Sequence, residues 1–338
     1  GLKKPSLYCL HAELKADGRV VDSADIPLGF RSISIDGEKG FFLNGENIKL
    51  NGVAKHQDYD GVFNATNEEH WNQDIHDILE IGANSVRLSH YQHPQEMYRL
   101  CDEQGLIVWA EIPMLKMTES EALLENACSQ LEELILQNIH HPSICFWGIQ
   151  NEIAMFGENQ GMYERVKRLG DLAKQLDPSR ISSCANLFCV KNDSVLNKLT
   201  EAVGYNIYFG WYYGEMKDSE AFVEKFHEDN PHIPLGITEY GVDCNLAFHS
   251  QDPKVKDYSE EFQALYHETV YPMFKSKPYI WGTYVWNLYD FSSEIRDEGG
   301  LKHKNGKGLI TFDRKIKKDA YYYYMAQWSS KPFVKIAQ

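Results

Sequence analysis

Residues 143–152 read SICFWGIQNE, a run suited to a buried strand that ends in an amide beside a carboxylate. A strand enclosed on both faces has no packing reason to finish in Asn151-Glu152, so its tip is read as facing a site. Similar β-rich runs lie on either side. IKLNGV (48–53), NSVRLSH (84–90) and LIVWAE (106–111) precede it. RISSCAN (180–186), AVGYNIY (202–208), PLGITEYG (234–241) and YIWGTYVWN (279–287) follow. Helical patterns fall between them, beginning with EEHWNQDIHDILEIG, which places apolar or aromatic residues at 71, 75, 78, 79 and 81. Further helices are expected near 94–104, 120–139, 160–176, 219–228 and 258–275. Strand-like runs alternating with helices in this way predict an α/β fold, a (β/α)8 TIM barrel.

Polar residues close nearly every run. They are His56 shortly after the first, then His90, Glu111, Asn151 with Glu152, Asn186, Asn206 with Tyr208, Glu239, and Trp286 with Asn287. In such a barrel the C-terminal strand ends form one rim, and that rim carries the active site. A single Glu at a strand end is an ordinary solvated side chain. Glu152 and Glu239 together are different, because strands 4 and 7 lie nearly opposite across the mouth and each acid adjoins an amide or an aromatic (Asn151, Tyr240). Facing carboxyl groups, one protonated to donate and one ionised to attack, are the apparatus of glycoside hydrolysis. Glu111 is read as structural. Arg87, inside the second run, is read as a buried partner for these acids, since an unpaired interior guanidinium is costly.

The opening residues follow a different pattern. SLYCLHAEL and GFRSISID read as strands separated by Gly, Asp and Pro turns. Residues 1–36 are therefore expected to be the last strands of an incomplete β-sandwich, immunoglobulin-like, and 37–338 the barrel. Two or three strands do not make a stable domain alone, so the chain is expected to be a fragment of a longer protein. FFLNGENIKL carries an Asn-Gly hairpin signal at the join.

Composition narrows the function classes. Of 338 residues, 49 are acidic and 34 basic, a formal charge of -15, which argues against nucleic-acid or anionic-membrane partners. No apolar stretch approaches membrane-spanning length, and the N-terminal residues lack a signal-peptide pattern. Seven cysteines without metal-type spacing fit reduced thiols, so a cytoplasmic location is expected.

Longer motifs carry a resemblance. HHPSICFWGIQNE (140–152) resembles the His-Pro-Ser, Trp, Asn-Glu signature of glycoside hydrolase family 2, which holds β-galactosidases, β-glucuronidases and β-mannosidases. ITEYG (237–241) resembles its nucleophile segment, and GFRSISI, FFLNGENIKLNGVAKHQD, NSVRLSHYQHP and LCDEQGLIVWAEIP its opening segments in order. The resemblance covers essentially the whole chain and implies a retaining exo-glycosidase. It makes Glu152 the general acid/base and Glu239 the nucleophile. It puts Asn151 on the sugar 2-hydroxyl, Tyr208 on the nucleophile carboxylate, His56 and His90 along the sugar subsite, and Trp286 beneath the ring. Taken alone, each histidine would be an ordinary loop residue and Trp286 a core residue.

NGKGLITFDRK (305–315) bears on the substrate. Asn305 and Lys307 resemble the glucuronidase pair that holds the sugar-acid carboxylate, although similar segments occur in galactosidases of the family. RDEGG, DRKIKKDAYYYYMAQW, NLFCVKNDSVLNKLTEAVGYNIYFGWY and DYSEEFQALYHE resemble the galactosidase branch. β-Galactosidase is therefore the main expectation, with β-glucuronidase or an inactive, carbohydrate-binding barrel as the alternatives. The expected β-sandwich remnant and the opening segment GFRSI…LNG speak against a cellulase- or mannanase-type barrel. Some family galactosidases bind magnesium through Glu-x-His after strand 3. Here EIPMLKM offers Met114 and Lys116 instead, so no metal or other cofactor is expected. The expected partner is a carbohydrate, and homo-oligomerisation is expected to run through domains absent from this sequence.

Overall fold

A computed structural model describes residues 1, 2 and 4–334. Its centre is a closed, wholly parallel barrel. The strands are β1 (Leu50–Lys55), β2 (Ser85–Leu88), β3 (Ile107–Glu111), β4 (Ile144–Asn151), β5 (Ile181–Leu187), β6 (Ala202–Asn206), β7 (Leu235–Tyr240) and β8 (Ile280–Val285). Each pairs with its sequence neighbour, and β8 closes on β1 through Gly282–Leu50 and Val285–Val53. Helices α1 (Glu68–Glu80), α2 (Gln95–Gln104), α3 (Glu121–Asn138) and α4 (Gln160–Leu176) follow β1 to β4 in turn. Helices α5 (Asp218–Asp229), α6 (Glu260–Lys275) and α7 (Asp319–Trp328) follow β6, β7 and β8, while β5 is followed by a 3-10 turn, Val195–Lys198.

Local chemistry explains the starts of the helices. Ser120, Asn159 and Ser259 cap α3, α4 and α6, each side-chain oxygen accepting from a backbone N–H of the first turn. Asn67 and His70 form a reciprocal capping box on α1. Among the described residues, no helix is long and apolar enough to cross a membrane.

The barrel interior below the rim is filled with aromatic rings. Phe146 stacks on Trp281 with centroids 4.9 Å apart, and Trp109 lies 5.8 Å from Trp281 and 5.7 Å from Tyr284. Strand glycines make room for them. A Cβ on Gly148 would lie 2.4 Å from Trp109 Nε1, and one on Gly236 would lie 2.4 Å from the Trp281 ring. Glycine is therefore required on these strands by close approach. Phe41, 5.5 Å from Phe146, closes the base from below.

Phe41 belongs to a three-stranded antiparallel sheet of Ile33–Asp36, Gly40–Leu43 and Glu46–Asn47. Its turn at Asn44 (φ 53°) and Gly45 (φ 83°) uses the Asn-Gly signal as expected. The border read between residues 36 and 37 falls inside this sheet. Ahead of it, Leu7–Ala16 and Arg19–Gly29 form a separate two-stranded sheet. The residues read as turn-forming between the first strands, Asp22, Asp25 and Pro27, are thus themselves in a strand. Among the described residues these first strands form two separate sheets, one of two strands and one of three. A last hairpin, Phe291–Glu298 with Leu301–Asn305, stands on the rim after β8.

Candidate active site

Arg87 brings together His90, Glu111, Asn151 and Glu239 of the predicted rim residues, whereas Asn186 bonds Gln150 and Asn197 instead. Fully buried on β2, the Arg87 guanidinium rests over Trp109, 4.9 Å from the ring centroid. Nε donates to Glu111 Oε1, Nη1 to Glu239 Oε1 at 2.8 Å, and Nη2 to Asn151 Oδ1 at 2.9 Å. Asn206 Nδ2 then donates to Asn151 Oδ1 and to Glu152 Oε1, each at 3.0 Å. Asn206 is aimed by Thr238 Oγ1, which donates to its Oδ1 at 2.7 Å. A continuous chain thus runs from Glu239 through Arg87, Asn151 and Asn206 to Glu152.

Within this network the two acids occupy different environments. Glu152 sits just past the end of β4 in the left-handed region (φ 54°, ψ 25°), its N–H held by Ala185 O at 2.8 Å. A non-glycine residue held in that region marks local strain, of the kind that collects at functional sites. Burial, then the charge of nearby Glu239, pushes the Glu152 carboxyl up to about 7, against the opposing pull of Asn206 and Arg87. Glu239 is ion-paired with Arg87 and accepts the Tyr208 hydroxyl on Oε2 at 2.6 Å. Burial and the adjacent Glu239 keep Tyr208 well above the ordinary phenol range, so it stays protonated and donates.

His90 Nδ1 lies 2.9 Å from Glu111 Oε2 and 3.1 Å from Arg87 Nη2. The carboxylate is the better partner, so Nδ1–H donates to Glu111 and Nε2 is left facing Glu239 Oε1, 3.7 Å away. Burial alone would raise Glu111, but Arg87 and His90 outweigh it and hold the carboxyl low. Glu111, read as structural, holds Arg87 and His90, which meet Glu239 alongside Tyr208. Trp286 stacks on His90 (5.1 Å, 12°). His56 meets Trp286 edge-on at 5.4 Å and Phe291 at 4.4 Å, with Nδ1 3.1 Å from the Tyr91 hydroxyl. Burial first, and then His90, Lys55 and Arg87, depress His56 well below its usual range, so His56 is neutral.

Residues 33–331 match the model described as glycosyl hydrolases family 2, TIM barrel domain. The chain belongs to glycosyl hydrolase family 2. A β-glucuronidase of Bacteroides fragilis is 39% identical over 353 residues, covering 100% of this chain and 50% of that protein. An FMN-binding β-glucuronidase of Faecalibacterium prausnitzii superposes with a TM-score of 0.96 at 43% identity, over 98% of this chain and 52% of that one. A Bacteroides fragilis protein provisionally named a β-galactosidase gives 0.92 at 41%, over 96% and 49%. The chain spans about half the length of the relatives it matches.

The family reading stands, but preferring a galactosidase over a glucuronidase does not. Relatives from bacteria to pig that match most of this chain carry the name β-glucuronidase. The physical reason lies in what the supposed galactosidase markers do. Tyr321 and Tyr324 of DRKIKKDAYYYYMAQW are buried core residues of α7, which packs against α6. These tyrosines therefore reflect the packing of α7 on α6. Of RDEGG, Arg296 to Glu298 end a strand of the outer hairpin and Gly299-Gly300 form its turn.

Lys307 is buried, and its Nζ donates to Asp243 Oδ2 at 2.5 Å and to the Tyr212 hydroxyl at 2.6 Å. Arg296, on the outer hairpin, donates to the same Asp243 oxygen at 2.9 Å and to Tyr212 at 3.1 Å. Lys307 lies 5.7 Å from the Tyr208 ring, so this cationic corner adjoins the Glu239 pocket in this member of family 2. Burial would raise Asp243, but Lys307 and Arg296 outweigh it and hold the carboxyl low. Asn305 Oδ1 accepts from Lys307 N at 3.0 Å and so shapes the turn that carries Lys307.

Sequence reasoning did not assign Asp243, Arg296, Tyr212 or Thr238 to the site. Signals existed: an acid four residues past Glu239, and an arginine inside the segment already singled out at 296–300. After β3, Met114 is buried and Lys116 lies 5.0 Å over the Phe156 ring. Elsewhere, His76, Asp77 and Glu80 have metal-like spacing among the described residues. Lys317 already serves that group, bonding Glu80 and lying 3.7 Å from Asp77.

Proposed function

We propose that this chain is the catalytic barrel of a retaining β-glucuronidase, which releases a terminal β-linked glucuronic acid by double displacement. The observation that carries the reading is the contrast between the two acids. Glu152 is raised to about 7 within the same bonded network in which Glu239 is ion-paired with Arg87 and aimed by Tyr208. In the first step a Glu239 oxygen attacks the anomeric carbon while Glu152 gives its proton to the glycosidic oxygen, and the bond to the aglycone breaks. In the second, Glu152 takes a proton from water, the water oxygen attacks the same carbon, and the ester to Glu239 breaks.

Asn151 has its Oδ1 committed to Arg87 and Asn206, which leaves its Nδ2 to donate to the sugar 2-hydroxyl. Trp286 and the neutral His56 line the ring, with His90 between them and Glu239. Lys307 takes the sugar carboxylate, with Asn305 setting the turn that presents it. The cationic corner and the names of the relatives support a uronic acid over a neutral sugar.

Glu239→Gln is expected to lower kcat on nitrophenyl β-glucuronide by about 1,000-fold or more, because the covalent route is lost. The first-formed sugar, followed by proton NMR, is expected to be the β anomer. Near-normal turnover in the variant, or an α-configured first product, rejects the mechanism. A wild-type preference for the nitrophenyl β-galactoside rejects the sugar.

A further inference from the structure

Lys307 rides on the short strap Asn305–Gly308, whose backbone is gripped on every side. Gly306 N donates to Asp243 Oδ1 at 3.0 Å, Cys244 N donates to Gly306 O at 3.0 Å, and Asn287 N donates to Lys307 O at 3.1 Å. Two further contacts come from one buried ion pair. Lys318 Nζ donates to Gly306 O at 3.1 Å and to Asp290 Oδ1 at 2.8 Å. The same Asp290 oxygen accepts from Gly308 N at 2.9 Å. The pair therefore holds the carbonyl just before Lys307 and the N–H just after it. The fit leaves no slack, since a Cβ on Gly308 would lie 1.9 Å from Asp290 N.

Stability alone is a weak reason to keep such a pair. Lys318 is fully buried at the cap of α7, and replacing a buried ion pair with apolar side chains is often neutral or stabilising. Its geometry supplies the reason: it pins the two peptide units that set where the Lys307 side chain points. Burial pushes Asp290 up to about 6 even with Lys318 beside it, while Asp290 outweighs burial in raising Lys318. The two charges thus depend on each other.

We infer that Lys318 and Asp290 are positioning residues of the anion subsite, fixing the Lys307 ammonium and hence the preference for a sugar that carries a carboxylate, without touching that sugar. This rests on the glucuronidase reading above. The test compares nitrophenyl β-glucuronide with nitrophenyl β-glucoside, which differ only at C6, in the full chain. Lys318→Met is expected to lower the glucuronide-to-glucoside ratio of kcat/KM by about 10- to 100-fold, the scale of a misplacement of about 1 Å, and to do so through the glucuronide KM. Glucuronate is expected to inhibit the variant more weakly by a similar factor, and Lys318→Arg is expected to recover part of the ratio. A purely structural pair lowers both substrates together, so a ratio unchanged within about 2-fold overturns the inference. If Lys318→Met does not fold, the near-isosteric Asp290→Asn is judged by the same ratio. A wild type with no glucuronide preference removes the functional reading and this inference with it. A preference kept in the variants removes this inference alone.

Discussion

Glu152 shows how much one residue's surroundings decide. The same carboxyl group in water titrates near 4.3, and its place here raises it to about 7. Burial and Glu239 both disfavour the ionised form, so the proton is lost only as pH rises through about 7. The general-acid step needs that proton, and kcat/KM on a glucuronide is therefore expected to be full below this value and to fall above it. Glu152→Gln is expected to lose this alkaline limb, along with about 100- to 10,000-fold in rate on substrates with poor leaving groups. Azide, which needs no general base, is expected to restore turnover of an activated aryl glucuronide in the variant. A pH-rate profile that keeps its alkaline limb in Glu152→Gln assigns that limb to another group. The residue itself could be picked out from the sequence, because Asn-Glu closing an apolar run has no packing explanation. Its left-handed backbone and raised proton affinity could not be, since they go with burial and with neighbours 33 to 87 positions away, Ala185 on its N–H and Glu239 beside its carboxyl.

At the scale of elements, strands were easier to read than their limits. Continuous apolar runs announce strands buried on both faces but carry no period that marks a first or last residue, so 48–53 was expected where β1 spans Leu50–Lys55. Arg19–Gly29 was missed because its strand lies outside any core, and exposure tolerates the Asp and Pro that usually signal turns. The strand glycines gave no hint of purpose until the rings opposite them were placed. Gly148 on β4 is the informative case. A methyl group there would press on Trp109 Nε1 at 2.4 Å and on Glu111 Cγ at 2.6 Å, and Glu111 holds both Arg87 and His90. Gly148→Ala is expected to destabilise the fold by about 1–3 kcal/mol through overpacking. It is also expected to cut kcat at temperatures where the variant is fully folded, because the Glu111 displacement reaches the Glu239 pocket. Thermal denaturation beside kcat at 25 °C separates the two effects. A variant with a lowered Tm but unchanged kcat shows that Trp109 alone absorbs the strain.

Across the whole molecule, the site is a meeting of residues that the chain keeps far apart: Arg87, Glu152, Glu239 and Lys307 come from β2, the end of β4, β7 and the outer hairpin's exit. The barrel made most of this legible, since strand ends must share one rim. Arg296 was not, because the hairpin that brings it to Asp243 lies outside the eight-fold repeat. The same division between repeat and appendage governs stability. Barrel strands such as β3 and β4 are buried at every position, whereas Leu7–Ala16 is exposed at every position and, among the described residues, pairs only with Arg19–Gly29. Tyr8, Leu10, Leu14, Val20 and Val21 all face solvent, so the hairpin lacks the buried apolar face that would stabilise it. Two strands alone are marginal in water. What ties the segment down is local: Arg31 donates to Pro142 O at 2.9 Å and to Ile144 O at 2.7 Å, just beyond the hairpin's end. In a chain of residues 1–338, amides within 7–29 are therefore expected to exchange with solvent about 1,000-fold or more faster than those of β3 and β4, which open only with the whole barrel. Hydrogen exchange read by mass spectrometry on peptides from the two regions measures the difference directly. Protection of the hairpin equal to that of β4 would mean that its apolar side chains are covered in solution, and a fall in that protection on dilution would identify a second copy as the cover.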